Sequence, residues 1–111
     1  MKIIGIDPGL IQTGYGIINV SNNQTYLIDY GIIKPLLNDS LANRLLTIYN
    51  DVCEIISNYE PQIFAIEEVF YGKNVKSAMR LGQARGASMV AAASKEIPIY
   101  ESSARKVKQS I

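Results

Sequence analysis

Short apolar runs separated by polar turns dominate the first third of this chain. The pattern predicts strands over 2–7, 15–20 and 25–33, with a glycine-bearing turn after the first strand and a polar turn at 21–24. Runs of four apolar residues rich in isoleucine, such as Ile3 to Ile6, are typical of buried strands. Because the connecting turns are short, these three strands should form an antiparallel meander.

A helical spacing of apolar residues begins after the break at Lys34–Pro35. Apolar residues recur three or four positions apart at Leu41, Leu45, Ile48, Val52 and Ile56, and Leu46, Tyr49 and Cys53 widen this stripe. This spacing predicts a one-sided amphipathic helix over 41–59. Residues 38–40 offer N-cap side chains for it, and Pro61 should end it.

The rest of the chain alternates strand and helix patterns. A fourth strand is predicted over 63–67, a second helix over about 75–96 with Asn74 as its N-cap, a short fifth strand over 98–100, and a third helix opening at Ser102. The second helix is rich in alanine and glycine, which indicates close packing. The order β-β-β-α-β-α-β-α predicts an α/β fold, a mixed sheet flanked by helices with strands one and four parallel and adjacent.

Two of the predicted strands run directly into a carboxylate, Asp7 and Glu67. Ligands collect at the carboxyl ends of strands in α/β sheets, and two converging carboxylates repel unless a proton or a cation lies between them. The chain has no histidine and one cysteine, so oxygen ligands are available and favour Mg²⁺ or Mn²⁺. The alternative is that these acids only form turns and caps, since Asp7-Pro8-Gly9 is good turn chemistry by itself.

Composition indicates one globular domain over 1–111, with 48% apolar and 19% charged residues and a net charge of only +1. The charge is unevenly distributed, because from Lys73 onward eight Lys or Arg face two Glu. A polyanionic partner would bind to this basic C-terminal third. The apolar runs are too short for a membrane span, no signal peptide is apparent, and Cys53 fits a buried, inert thiol, so we expect a cytoplasmic protein without membrane partners.

Four blocks of sequence resemble the RuvC family of crossover-junction endodeoxyribonucleases: Gly5–Gly9, Thr13–Gly16, Ala65–Phe70 and Leu81–Gly86. They occur in the family's order and spacing and cover essentially the whole chain. The resemblance implies a ribonuclease H-like fold. It also implies symmetric nicking of four-way (Holliday) junctions in DNA recombination and repair, by a homodimer that uses Mg²⁺ or, in its place, Mn²⁺. Branch-migration motor proteins are the further partners that it implies.

The resemblance also assigns roles to single residues. Asp7 and Glu67 match two catalytic, metal-binding carboxylates of the family. Phe70 matches an aromatic residue that contacts junction DNA near the crossover, and Lys108 matches a basic residue near the active site. Strand alternation allows only one of Glu67 and Glu68 to share the face of Asp7, and the family pattern selects Glu67.

Further DNA contacts are expected from the residues themselves. Phe70 and Lys73 lie in a loop after strand four, where an aromatic ring can stack on unpaired bases and a lysine can contact phosphate. Lys76 and Arg80 are four residues apart on the second helix and share a face that could follow a phosphate backbone. A basic face that is merely solvated is the alternative for this pair.

One departure from the family pattern limits these expectations. The family carries further metal ligands, either two acids or a histidine and an aspartate, on a C-terminal helix beyond position 111. We therefore expect a C-terminally truncated nuclease domain of reduced activity, or a catalytically silent module that still binds junctions. A third alternative is an actin-like or sugar-kinase-like phosphate-binding domain built on the glycine-bearing segment 7–16, which would need a second such domain.

Overall fold

The computed structural model describes residues 1–68 and 74–103, which form five strands and two helices. The elements are β1 (Lys2–Asp7), β2 (Thr13–Ser21), β3 (Gln24–Ile33), α1 (Leu41–Tyr59), β4 (Ile63–Glu68), α2 (Val75–Ser94) and β5 (Ile99–Ser103). The predicted order of elements is confirmed as far as β5. The bounds of β1 and α1 are those that the apolar pattern indicates.

The five strands form one mixed sheet in the order β3-β2-β1-β4-β5. β1 pairs antiparallel with β2, and β2 pairs antiparallel with β3, so the first three strands are the predicted meander. β4 runs parallel to both of its neighbours, β1 and β5. This arrangement confirms that strands one and four are adjacent and parallel, and it brings their carboxyl ends to one edge of the sheet.

The fifth strand is longer than predicted, and this corrects the start of the third helix. Ser102 pairs with Glu67 and Ser103 pairs with Glu68, so both serines belong to β5 and the chain is extended at both positions. The pairing of these serines with a parallel neighbour is a contact between segments distant in sequence, which local serine signals do not reveal. Residues 104–111, including Lys108, lie outside the described part of the chain.

Both described helices pack on the same face of the sheet. From α1 the buried residues are Ile48, Val52, Ile55 and Ile56, and from α2 they are Ala84, Ser88, Ala91 and Ala92. They meet the inward side chains of the central strands, including Ile4, Ile6, Phe64 and Ile66. The small residues of α2 thus serve the close packing that the sequence indicates.

Two apolar residues of the predicted stripe are exposed in α1, and Cys53 is not fully buried. Leu46 is exposed because it lies two residues before the fully buried Ile48, which places it on the far side of the helix. Leu41 is also exposed, in the first turn, ahead of the buried stretch. Cys53 is half-buried between the helices, with its Sγ 4.0 Å from the carbonyl oxygen of Ala91.

Side-chain caps begin both helices as predicted. The Oγ of Ser40 accepts from the N–H of Asn43 at 3.1 Å, and the Oδ1 of Asn74 accepts from the N–H of Ser77 at 3.2 Å. These bonds satisfy N–H groups that have no partner inside the helix. No helix of residues 1–68 and 74–103 is long and apolar enough to cross a membrane.

The far end of α1 is tied to the outer strand β3. The hydroxyl of Tyr59 donates a hydrogen bond to the carboxylate of Asp29. This bond, followed by burial and the charge of Asp29, raises the pKa of Tyr59. Elsewhere in α1, burial and then the nearby charge of Glu54 raise the pKa of Asp51.

Candidate active site

The two predicted catalytic acids lie at the carboxyl ends of neighbouring parallel strands, Asp7 as the last residue of β1 and Glu67 as the last but one of β4. Ile6 of β1 is paired with Ile66 of β4, and Asp7 and Glu67 are the next residue on each strand. The ladder does not continue through Pro8, because proline has no backbone N–H. Both acids therefore lie just past the end of the β1–β4 ladder, at one edge of the sheet.

Alternation along the strands places both acids on the sheet face opposite the helices. Ile4 and Ile6 of β1 point into the helix-covered core, as do Phe64 and Ile66 of β4. Because side chains alternate, residues 3, 5 and 7 of β1 and residues 63, 65 and 67 of β4 lie on the other face. Asp7 is exposed and Glu67 half-buried there.

This open face is organised in rows that run across the strands. The first row contains the two acids together with Ile32 and Gly14. The second row consists of Tyr30, Gly16, Gly5, Ala65 and Tyr100. The third row is apolar and consists of Leu27, Ile18, Ile3 and Ile63. The small residues of the middle row make a groove between the apolar row and the acids. A pocket of about 570 Å³ occupies this groove, and Asp7 and Glu67 line it.

The turn after Asp7 is held tightly. Thr13 is fully buried, and its hydroxyl donates to the carbonyl of Gly9 at 2.7 Å and accepts from the Gly9 N–H at 3.2 Å. A side chain at Gly9 would drive its Cβ into the carbonyl oxygen of Gln12, so only glycine fits. From α1, Arg44 donates through Nη2 to the carbonyl of Leu10 at 2.8 Å.

The end of β4 is held by a different arginine. Arg85 of α2 donates through Nε to the backbone carbonyl of Glu67 at 3.3 Å and forms an ion pair with Glu101 of β5. The sequence pattern assigned no role to Arg85, Glu101 or Arg44. Of these three residues, only Arg85 lies in one of the four blocks that resemble the family, so only Arg85 could have been singled out from the sequence.

The predicted DNA-binding residues divide into two groups. Lys76 and Arg80 are exposed in the first turns of α2, where their spacing places them on neighbouring turns of the helix. Phe70, Lys73 and Lys108 lie outside the described residues. The structure therefore describes two of the five residues predicted to bind DNA.

The donor set of the open face suits a hard cation but is small. Asp7 and Glu67 provide only oxygen ligands, which Mg²⁺ and Mn²⁺ prefer. Across residues 1–68 and 74–103, no group of three or more His, Cys, Asp or Glu residues is placed to hold a metal ion. The pair fits a metal site as part of its ligand set.

Comparison with known proteins identifies a family. Residues 3–111 match the family model described as crossover junction endodeoxyribonuclease RuvC. The chain is 49% identical over 113 residues to the RuvC of Teredinibacter turnerae and 47% identical over 109 residues to that of Legionella pneumophila. In both comparisons 98% of this chain is covered, against 64% and 63% of those proteins. The chain thus spans less than two thirds of the length of these relatives.

The fold matches as well. A structure of Thermus thermophilus RuvC in complex with a Holliday junction substrate superimposes with a TM-score of 0.89 and 29% identity, covering 98% of this chain and 70% of that one. The five-stranded mixed sheet with helices on one face is therefore the ribonuclease H-like fold of these proteins.

Proposed function

The chain belongs to the RuvC family of crossover junction endodeoxyribonucleases, and we propose that it forms the core of a nuclease that resolves four-way DNA junctions. One observation carries the proposal for the site: Asp7 and Glu67 lie at the carboxyl ends of adjacent parallel strands, on the same open face of the sheet. We propose that these two carboxylates are catalytic residues and hold divalent cations. Family membership also leaves the phosphate-binding-domain alternative without support.

The chain's own residues would prepare the site in two ways. Asp7 and Glu67 extend from paired strands, so their carboxylates are positioned before substrate arrives, which lowers the cost of reorganisation. Thr13 and Arg44 hold the turn that follows Asp7. When bound, Mg²⁺ would lower the pKa of an attacking water and stabilise charge that develops on the phosphate oxygens.

Exposed basic residues support the DNA-binding part of the proposal. Lys76 and Arg80 lie at the start of α2, the helix that follows β4 in the chain. We propose that they contact phosphates on a junction arm, that Phe70 and Lys108 add the contacts that the family pattern implies, and that Lys73 contacts phosphate beside Phe70. The relative from T. thermophilus was solved with a Holliday junction, which is consistent with this substrate class.

An apolar stripe on α2 supports a homodimer. Val75, Met79 and Val90 are exposed, and their spacing places them on one face of the helix, opposite the buried Ala84. Gly86 lies on the same exposed face, and a Cβ added there would meet no atom within 4 Å. We propose that this stripe contacts a second copy of the chain, since close approach at Gly86 suits helix against helix.

A second candidate function follows from the small ligand set. Residues 1–68 and 74–103 offer the acid pair without a third nearby metal ligand. The part matched here covers only 64% and 63% of these relatives, so about a third of each lies outside it. We propose that further ligands come from that additional part, so that this chain alone is a weak nuclease or a module that binds junctions without cutting them.

The test compares a synthetic four-way junction with a linear duplex of the same arm sequence. We expect tighter binding to the junction in a competition gel-shift assay, and slow nicking of the junction in Mn²⁺ that the Asp7→Asn variant lacks. Equal affinity for junction and duplex would contradict the substrate class. Nicking that survives in Asp7→Asn would contradict the site, whereas selective binding without nicking in either metal would identify the silent module.

A further inference from the structure

Arg85 is the centre of a contact network beneath the end of β4. It lies in the middle of α2, with only 19% of its side chain exposed. Its Nε donates to the Glu67 carbonyl at 3.3 Å, its Nη1 lies 3.3 Å from the Sδ of Met89, and its Nη2 pairs with the carboxylate of Glu101. Each guanidinium nitrogen thus has a partner within the chain.

These contacts make Arg85 an unsuitable ligand for phosphate. Its charge is paired with Glu101, and its side chain lies on the helix-covered face of the sheet, whereas Asp7 and Glu67 line the opposite face. The block Leu81–Gly86 is part of the family pattern, but the proposed role of Asp7 and Glu67 does not explain why this block contains an arginine. A role that acts through another residue fits these observations.

We propose that Arg85 is a positioning residue for Glu67. Glu101 is paired in register with Ile66, the residue before Glu67, so the guanidinium spans the ends of β4 and β5. Past Ile6 and Ile66 the ladder to β1 ends, so the Arg85 bond adds a restraint on the Glu67 peptide to the one that pairing with Ser102 of β5 provides. Restraining that peptide orients the Glu67 carboxylate toward the face that it shares with Asp7. This inference rests on the proposed metal site.

Arginine is suited to this task in a way that lysine is not. The planar guanidinium donates in several fixed directions, so one side chain can reach Glu67, Met89 and Glu101 together. An ammonium group can pair with Glu101 but cannot hold the Glu67 carbonyl with the same geometry. Lysine at position 85 should therefore keep the link between α2 and β5 while losing the control of Glu67.

The experiment uses the whole chain with Arg85→Met, Arg85→Lys and Glu101→Gln, and with Lys95→Gln as an exposed control at the far end of the same helix. Mn²⁺ binding is followed by electron paramagnetic resonance, thermal unfolding by circular dichroism, and the Glu67 carbonyl by its ¹³C chemical shift without metal. We expect Arg85→Met and Arg85→Lys to weaken Mn²⁺ binding about tenfold, as loss of an outer partner of a ligand typically does. Both substitutions should also change the ¹³C chemical shift of the Glu67 carbonyl.

The Glu101→Gln variant separates positioning from a merely structural link. The side-chain amide oxygen that this substitution introduces can still accept from Arg85, so Mn²⁺ affinity should stay within about twofold, because a neutral acceptor retains the geometry. Arg85→Lys with unchanged affinity and carbonyl shift would overturn the inference, as would a Glu101→Gln loss equal to that of Arg85→Met. If the unsubstituted chain shows no Asp7-dependent Mn²⁺ binding, the metal site itself fails, and an unmoved carbonyl shift in Arg85→Met then refutes the role of Arg85 separately.

Discussion

The hydroxyl of Thr13 bonds both the N–H and the carbonyl of Gly9, closing the turn that follows Asp7. Thr13 is fully buried at the start of β2, and Gly9 is packed against the backbone of Gln12. The candidate active site therefore depends on a hydroxyl that is not itself a ligand.

Replacing Thr13 with valine should destabilise the chain. The valine keeps the shape of the side chain but leaves two backbone groups of Gly9 unpaired, at a cost of about 1–3 kcal/mol. The matched control is Thr13→Ser, which retains the hydroxyl and should lose less. Urea unfolding measures both. A Thr13→Val variant as stable as the unsubstituted chain would show that the two bonds contribute nothing.

Removing either candidate ligand should weaken the binding of divalent cations. We expect Asp7→Asn and Glu67→Gln each to lower Mn²⁺ affinity by at least about tenfold, since even outer partners of ligands typically contribute that much. Glu54→Gln, an exposed acid on α1, is the control for lost charge alone. Equal effects from all three substitutions would mean that Mn²⁺ responds to net charge and has no specific site.

The chain alone should cut a four-way junction much more slowly than a longer relative. A missing stabiliser of developing charge typically lowers the rate by about 10²–10³, and two acids leave Mg²⁺ short of the six oxygens that it prefers. Mg²⁺ also demands near-ideal octahedral geometry and loses its waters reluctantly. Mn²⁺ accepts the same oxygen ligands, so cleavage should be faster in Mn²⁺ than in Mg²⁺. Single-turnover cleavage by this chain and by the T. turnerae protein measures the difference. Rapid paired nicking by the 111-residue chain would contradict the prediction.

Junction binding should depend on salt through the first turns of α2. Each phosphate contact contributes about 0.9 to the slope of log affinity against log salt, so replacing Lys76 and Arg80 with glutamine together should flatten the slope by about 2. Lys95→Gln, at the exposed far end of the same helix, should leave it unchanged. A salt titration by fluorescence anisotropy decides the matter, and an unaltered slope in the double variant would remove this helix face from the interface.

Alkaline pH should weaken the tie between α1 and β3. The folded-state pKa of Tyr59 is raised above its ordinary value of 10.0 by its bond to Asp29, so the folded chain holds this proton more tightly than the unfolded chain does. The resulting stability is fully present below pH 10 and is lost as pH rises through the raised pKa. Tyr59→Phe should lack this dependence, and the exposed Tyr30→Phe should retain it. Urea unfolding at pH values on both sides of that range tests this, and parallel pH profiles for all three proteins would contradict it.

Features that depend on residues close together in the sequence could be predicted. The isoleucine runs mark β1 and β4, the spacing of apolar residues marks α1, and Ser40 and Asn74 cap the helices as expected. Leu46 and Ser102 show where local reasoning failed. Leu46 could be placed only once the buried direction of α1 was known, and Ser102 only once its strand partner was known.

That two acids lie at the carboxyl ends of apolar strands could be recognised from the chain alone, because it requires only the place where each apolar run stops. The tertiary structure decided that Asp7 and Glu67 share one open face, because strand order and register are set by contacts between distant segments. It also decided that Arg85 contacts the Glu67 carbonyl and pairs with Glu101, since a long side chain's direction depends on what packs around it. Local pattern thus specified the chemistry available to this protein, and long-range packing specified its geometry.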